Sequence, residues 1–280
     1  MENEIIIRAG RSESGYWRDI WRYRELFGFL AWRDIIVRYK QTVAGSAWAL
    51  LRPLLTTLVF TVLFGRMGKF PSDGVPYPVL VLAGMLPWQF FSNAISASTH
   101  SLVNNNSLIS KVYFPRLLIP ASTFGVALVD FAITLVILAG MMAWYQVMPT
   151  WRLLCLPIFT LLAVAAALGP GLLISALMVE YRDFKHIVPF LVQFGTYVSP
   201  VGFSTSAVPE QWRLLYACNP VVGVIEGFRW CIYGGLTANT QTTSSLPMEG
   251  FLISCGIVIF LLILGLWYFR RTEKTFADLI

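Results

Sequence analysis

The chain has 280 residues, of which 56% are hydrophobic and only 13% charged, with a mean hydropathy of +0.65. A soluble domain carries about 25% charged residues, so a soluble globular body is excluded and an integral membrane protein is indicated. The net charge of +6 does not point to nucleic acid, because a membrane protein turns basic through the Lys and Arg bias of its cytoplasmic loops. Ten Trp and twenty Phe are more rings than interfacial belts require, which leaves some to line a path. The four cysteines, at 155, 218, 231 and 255, show neither zinc-ligand nor disulfide-framework spacing; Cys218 and Cys231 are expected in one compartment, with little to suggest that they pair.

Residues 1–42 hold eight of the twenty-one Lys and Arg against six acids, and the opening MENEIII has no small-residue cleavage site. This segment is expected to stay in the cytosol, unprocessed. On a helical wheel Trp17, Ile20, Trp21, Phe27 and Ala31 share one side, intruded on by Arg24, opposite Arg18, Arg22 and Glu25. That fits an amphipathic helix, either lying in the membrane interface or packed on the protein's own cytosolic face. Residues 47–64 are the first span, since a ~30 Å hydrocarbon core needs about 20 helical residues. Arg52 lies one turn inside and can snorkel back. Arg33, Arg38, Lys40 and Arg52 then form a basic collar at the cytosolic leaflet, serving either simple orientation or an anionic lipid headgroup.

Residues 76–98 return as the second span, kinked at Pro87 and followed at once by Trp88, Phe90 and Phe91. Residues 101–120, SLVNNNSLISKVYFPRLLIP, break the apolar pattern with three asparagines, Lys111, Arg116 and two prolines. Hydrocarbon cannot solvate such a turn, so it lies in water at one face, and its two cations make that face cytosolic. Val112, Tyr113 and Phe114 are expected there as apolar side chains seeking a protein groove, a docking knob in which Phe114→Asp leaves folding intact.

Residues 117–145 are the third span and carry Asp130, the single acid deep in a predicted span. It must face protein, be paired, or be protonated, because a charge at the bilayer midplane costs about 2.5 to 3.5 kcal/mol on insertion scales. Residues 153–179 are the fourth span, in which Gly169, Pro170 and Gly171 loosen the helix and admit another backbone. The charged loop EYRDFKH at 180–186 precedes a fifth span at 187–203, with a break expected at Ser199, Pro200 and Gly202. Residues 212–233 contain Arg213, Asn219, Pro220, Glu226 and Arg229, too interrupted for a crossing, and a crossing there sends Arg270, Arg271 and Lys274 outside against the charge rule. Two short re-entrant helices joined near Asn219 satisfy both constraints. Glu226 and Arg229, at i, i+3, can pair on the second. Residues 236–249 are an external loop, and residues 251–269 are the sixth span.

The expected fold is an all-α integral membrane protein with six transmembrane helices, an N-terminal interface helix, two re-entrant gate helices and both termini cytosolic. Sixteen of the twenty-one cations then lie inside and Arg66, Lys69, Arg152, Arg213 and Arg229 outside. No G-x-x-x-x-G-K-[ST], H-E-x-x-H or G-x-S-x-G motif occurs, and His100 and His186 stand apart from metal-ligand partners. A conduit powered by another subunit remains.

The runs RDIIVRYKQTVAGSAWALLRPLL from Arg33, GMLPWQFFSNAISASTHSLVNNNSLISKVYFPRLLIP from Gly84, YRDFKHIVPFLVQFGTYVSPV from Tyr181 and NPVVGVIEGFRW from Asn219 together resemble the permeases of type-2 ATP-binding-cassette exporters. That family includes the O-antigen, capsule and teichoic-acid export permeases. The resemblance runs from about Ala31 to the C-terminus; Met178 and Glu180 depart from the Asn and basic residue usual before Tyr181. It implies a cytosolic segment at 1–42 and a permease domain at 43–280, in a bacterial cytoplasmic membrane. It also implies a homodimer bound to two ATPase subunits that hold ATP and Mg, no cofactor or metal in this chain, and lipid-linked polysaccharide as cargo among membrane lipids.

By the same resemblance residues 105–116 form the coupling helix, with Asn105, Ser107, Lys111, Val112, Tyr113, Phe114 and Arg116 facing the ATPase. Residues 17–31 form the interface helix. Residues 208–234 form the gate, with Trp212, Glu226 and Arg229. From the spacing of Glu226 and Arg229 alone, that pair is expected to hold the gate shut, so charge reversal at either should open a leak that the double swap reseals. Trp88, Phe91, Phe194, Tyr197 and Phe203 are the channel aromatics, because ring faces slide along sugar C–H faces. A secondary carrier using Asp130 as its proton site is the alternative, although no internal repeat supports it. A membrane glycosyl- or acyltransferase needs an acid cluster or a His near one face.

Overall fold

A computed structural model describes residues 15–40, 43–72, 74–234 and 247–276, with side chains of the second stretch from 47 onward. The first fourteen residues of the expected cytosolic segment, most of the loop expected at 236–249 and the last four residues lie outside the described residues. The described residues are helical, with no strand among them. Helix α1 spans Tyr16–Arg22, α2 Arg24–Lys40 and α3 Val43–Phe60, which continues as π-helical turns over Thr61–Met67. Then come α4 (Tyr77–Asn104), α5 (Asn106–Lys111), α6 (Leu118–Ser122), α7 (Phe124–Trp144), α8 (Leu156–Glu180) and α9 (Phe184–Val198). The order ends with α10 (Glu210–Tyr216), α11 (Pro220–Tyr233) and α12 (Met248–Thr272).

Five stretches are long and apolar enough to cross a membrane: Ala47–Met67, Tyr77–Asn104, Leu118–Trp144, Trp151–Glu180 and Met248–Thr275. Their burial sorts them. The apolar window of Tyr77–Asn104 is 78% buried and those of the others 17 to 33%, so α4 is the central post and the rest show lipid or a partner one face each. Helix α8 packs along both α4 and α12, and α7 and α11 close against α4. Helix α9 has 15 residues, about 22 Å at 1.5 Å per residue, which is short of the hydrocarbon thickness. The expected break holds: the helix stops at Ser199, whose backbone is extended.

The N-terminal helix does not stop at residue 31. It bends at Tyr23 and runs on to Lys40, because no glycine or proline punctuates the charged stretch after Ala31. Ile20, Tyr23, Leu26 and Leu30 pack on the body while Trp17, Trp21, Phe29 and Trp32 stay exposed. Helix α2 crosses α7 where Gly125 lets the β-carbon of Ala31 approach.

Three apolar clusters follow. One joins α4, α7, α8 and α11 around Phe90, Phe131 and Phe228. A second gathers Leu30, Leu102, Ile109, Phe114, Phe269 and Phe276 from three distant parts of the chain. The third sets Phe60, Trp88, Val201, Val221 and Ile225 under the end of α9.

Candidate functional site

The polar turn after α4 is a compact hairpin. Helix α5 covers only Asn106–Lys111, because Val112 turns to an extended backbone at φ −129°, ψ 134° and Pro115 forbids further helix. Ser107, Lys111, Val112 and Tyr113 face outward, Tyr113 with 71% of its surface open. Asn105 instead closes the entry: its Oδ1 accepts from Arg33 at 3.0 Å and its Nδ2 donates to the Ser101 carbonyl at 2.8 Å. The expected exposure of Phe114 is corrected. Tyr113 is open, but the next residue, Phe114, is 4% exposed and belongs to the second cluster with Phe269 and Phe276. Phe114→Asp therefore breaks a core. The exit is held by Glu273, whose Oε1 accepts the Arg116 backbone N–H at 2.7 Å, while the Arg116 guanidinium donates to the Glu273 carbonyl.

Asp130 has partners after all. Arg38 of α2 pairs with its Oδ2 at 2.7 Å, Tyr39 donates to Oδ1, and Asn93 of α4 donates to Oδ2 at 3.4 Å. Burial and the Asp130 carboxylate both push the Tyr39 phenol up, so it stays a protonated donor. Two cations of the basic collar thus have protein partners. Arg38 is bound to Asp130, and Arg33 to Asp34 at 2.8 Å and to Asn105. Lys40 and Arg52 remain exposed at that level.

Helix α9 separates two apolar faces. Gly195 lies against the Trp88 ring, whose indole N–H donates to Thr196 at 2.9 Å. Trp88 is thus buried under α9, and its expected place on a channel wall is corrected: it is a packing residue, its ring tilted at 34° against the half-buried Phe91 with centroids 5.6 Å apart. On the opposite face Phe190, Phe194 and Tyr197 stand 57 to 65% exposed at a spacing of four and three residues. Phe190 and Phe194 are stacked, with centroids 6.2 Å apart and planes at 12°. Phe203 joins Phe64 and Phe70 in a separate ring cluster, with centroids 6.4 and 6.2 Å away.

The backbone after α9 is irregular, and its polar groups need partners wherever water is excluded. Arg229 of α11 supplies two of them, donating to the Phe203 carbonyl at 2.9 Å and to the Val201 carbonyl at 3.4 Å. Tyr77 donates to the Gly202 carbonyl at 2.6 Å, and Asn219, which caps α11, donates to Ser199 at 3.0 Å. Arg229 is 3% exposed and reaches Glu226 at 3.5 Å, so the expected pair forms, yet its main work is binding the break. Gly84 makes room for the guanidinium: a β-carbon there would lie 2.8 Å from Nη2 and 3.0 Å from the Val201 oxygen. Trp212, on α10, is 54% exposed and stands apart from this network.

Residue reading missed Tyr39, Asn93, Tyr77, Tyr16 and Glu273. Each acts on a residue tens to hundreds of positions away, and only the unexplained burden of Asp130 hinted that such a partner exists.

The family model for the ABC-2 type transporter matches residues 25–233, three quarters of the chain and every element just described except α1 and α12. The O-antigen export system permease protein RfbA of Myxococcus xanthus is 27% identical over 219 residues, 77% of this chain and 83% of that protein. RfbA of Klebsiella pneumoniae is 25% identical over 249 residues, covering 89% and 92%. The capsule polysaccharide export inner-membrane protein CtrC of Neisseria meningitidis serogroup A is 27% identical over 258 residues, covering 90% and 92%. The chain belongs to the ABC-2 type transporter membrane family.

Proposed function

We propose that this chain is the permease subunit of an ATP-driven exporter that moves a lipid-linked polysaccharide across the bacterial cytoplasmic membrane. It works as a homodimer with two ATPase subunits, which hold ATP and Mg. The carrying observation is that its relatives along nearly their whole length are O-antigen and capsule polysaccharide permeases. Helix α9 with residues 199–203 is read as the fifth of six crossings, α10 and α11 as helices re-entering from outside, and both termini as cytosolic.

The hairpin is read as the ATPase-docking element, now through Ser107, Lys111, Val112 and Tyr113. An exposed Tyr at the centre of such a contact carries about 2 kcal/mol, or roughly thirtyfold in affinity. Tyr113→Asp is therefore expected to weaken ATPase binding at least tenfold with thermal stability unchanged. A titration of purified subunits that finds wild-type affinity removes the hairpin from the interface. The row Phe190, Phe194 and Tyr197 is read as the sugar-facing surface, because ring faces accept C–H faces without demanding one sequence of sugars.

The alternative, a secondary carrier protonating Asp130, is disfavoured by the Arg38 ion pair. Asp130→Asn keeps one acceptor oxygen for Tyr39 and loses the charge and the second oxygen, on which Arg38 and Asn93 converge, so it should cost about 1 kcal/mol at this partly exposed pair. ATP-dependent export in vesicles is expected to persist; its complete loss with ATPase binding intact turns the reading toward the carrier.

A further inference from the structure

The hairpin is tied at both ends to elements remote in sequence. Its entry is bound to α2 through Arg33 and Asn105. Its exit is bound to the end of α12 through Glu273, both of whose carboxylate oxygens are occupied: Oε1 by the Arg116 backbone N–H at 2.7 Å and Oε2 by the Tyr16 hydroxyl at 2.8 Å. Arg270 lies over the Tyr16 ring at 4.9 Å. Burial and the Glu273 charge push the Tyr16 phenol up, which keeps its proton in the bond. Below these bonds Phe276 and Phe269 meet edge to face at 5.4 Å in the cluster that holds Phe114.

We propose that Glu273 is a positioning residue for the hairpin, a joint that fixes its exit to the last membrane helix and to the start of α1. The proposal rests on the reading of the hairpin as the ATPase-docking element. Tyr113 lies three residues from Arg116, and Pro115 between them has a fixed φ and little freedom to absorb a displacement. A push on the exposed tip therefore moves Arg116, and the paired bonds at Glu273 carry that movement to α12 and α1 together. Without the Glu273 carboxylate the tip can still dock, but only the guanidinium bond of Arg116 to the backbone carbonyl at 273 remains, and the displacement dissipates in a loosened exit.

The test uses the full chain with its ATPase partner in vesicles, comparing Glu273→Ala, Glu273→Gln and Tyr16→Phe. In Glu273→Ala, hydrogen exchange at the amides of Arg116, Leu117 and Leu118 should rise about tenfold, as expected for losing a charge-assisted bond. ATPase binding should stay within about twofold, while ATPase stimulation falls at least about fivefold. Glu273→Gln retains an oxygen for the Arg116 N–H and should recover most of both. That recovery separates a positioning bond from bulk packing. Unchanged exchange, or faster exchange with full stimulation, overturns the proposal. Where Glu273→Ala yields no folded complex, Tyr16→Phe removes one hydroxyl and should show both effects at about threefold; no effect on either overturns it equally. A wild-type chain that binds no ATPase through Tyr113 instead overturns the docking reading and takes the transmission step with it.

Discussion

Arg229→Met is expected to destabilise the protein by about 3 to 5 kcal/mol, the range for removing one partner of a buried ion pair. Arg229 is 3% exposed and Glu226 is largely buried, so solvent does little to screen the loss. Methionine fills the space but donates nothing. It strands the Glu226 carboxylate and the carbonyls of Phe203 and Val201, each an acceptor with poor access to water. Arg229→Lys should recover only part of this, because one ammonium cannot span the two carbonyls that the planar fork reaches. The double exchange Glu226→Arg with Arg229→Glu gives the sharpest result. Spacing alone predicts that it reseals the gate, yet the observed geometry predicts the opposite: a carboxylate at 229 faces two carbonyl oxygens and repels both. The exchanged protein should be less stable than Glu226→Gln, and vesicles containing it should leak ions. Thermal unfolding in detergent and ion flux in vesicles measure the two effects, and a fully restored double exchange refutes the carbonyl-binding role.

What the residues disclosed in advance was whatever depends on neighbours in sequence. The apolar runs that became α4, α7, α8 and α12 announced themselves by length, and Ser199, Pro200 and Gly202 announced the break after α9, because proline and glycine act on their own backbone. The Gly169, Pro170, Gly171 triplet correctly promised a close backbone approach. What stayed hidden depends on the fold bringing strangers together. Phe114 looked like part of an exposed knob because nothing near it in sequence shows that Phe269 and Phe276 return to the cluster in which it is buried. Trp88 looked like a wall residue because Gly195 and Thr196, which receive its ring and its N–H, lie more than a hundred positions on. The protein partners of Arg33 and Arg38 stayed hidden for the same reason. Cations at a predicted membrane surface satisfy the positive-inside pattern whether they meet a phosphate or, like Arg38, an acid such as Asp130.

Gly265→Val is expected to remove most of the folded protein, for a reason that lies in backbone rather than side chains. Helix α12 crosses α8 with Gly265 so close to Gly169 that a β-carbon at 265 would overlap the Gly169 carbonyl oxygen and lie 3.0 Å from its Cα. In the other direction, a β-carbon at Gly169 would lie 2.6 Å from the backbone of Leu261 and Leu262. Neither neighbour has a rotamer through which to yield, so the whole helix must shift. Pro170 is next to this crossing and Gly171 follows it, where Ser98 of α4 donates to the Gly171 carbonyl at 3.1 Å. Moving α12 away from α8 therefore strains the contact of α8 with α4, the central post, as well. Ordinary overpacking costs about 1 to 3 kcal/mol because side chains rearrange; a rigid backbone overlap should exceed the upper end. Gly256→Val on the same helix is the control, since nothing lies within 4 Å of a β-carbon there. Its yield and midpoint should match the parent, while Gly265→Val gives little monodisperse protein on size exclusion. Equal behaviour of the two variants would mean that α8 and α12 do not meet at these glycines.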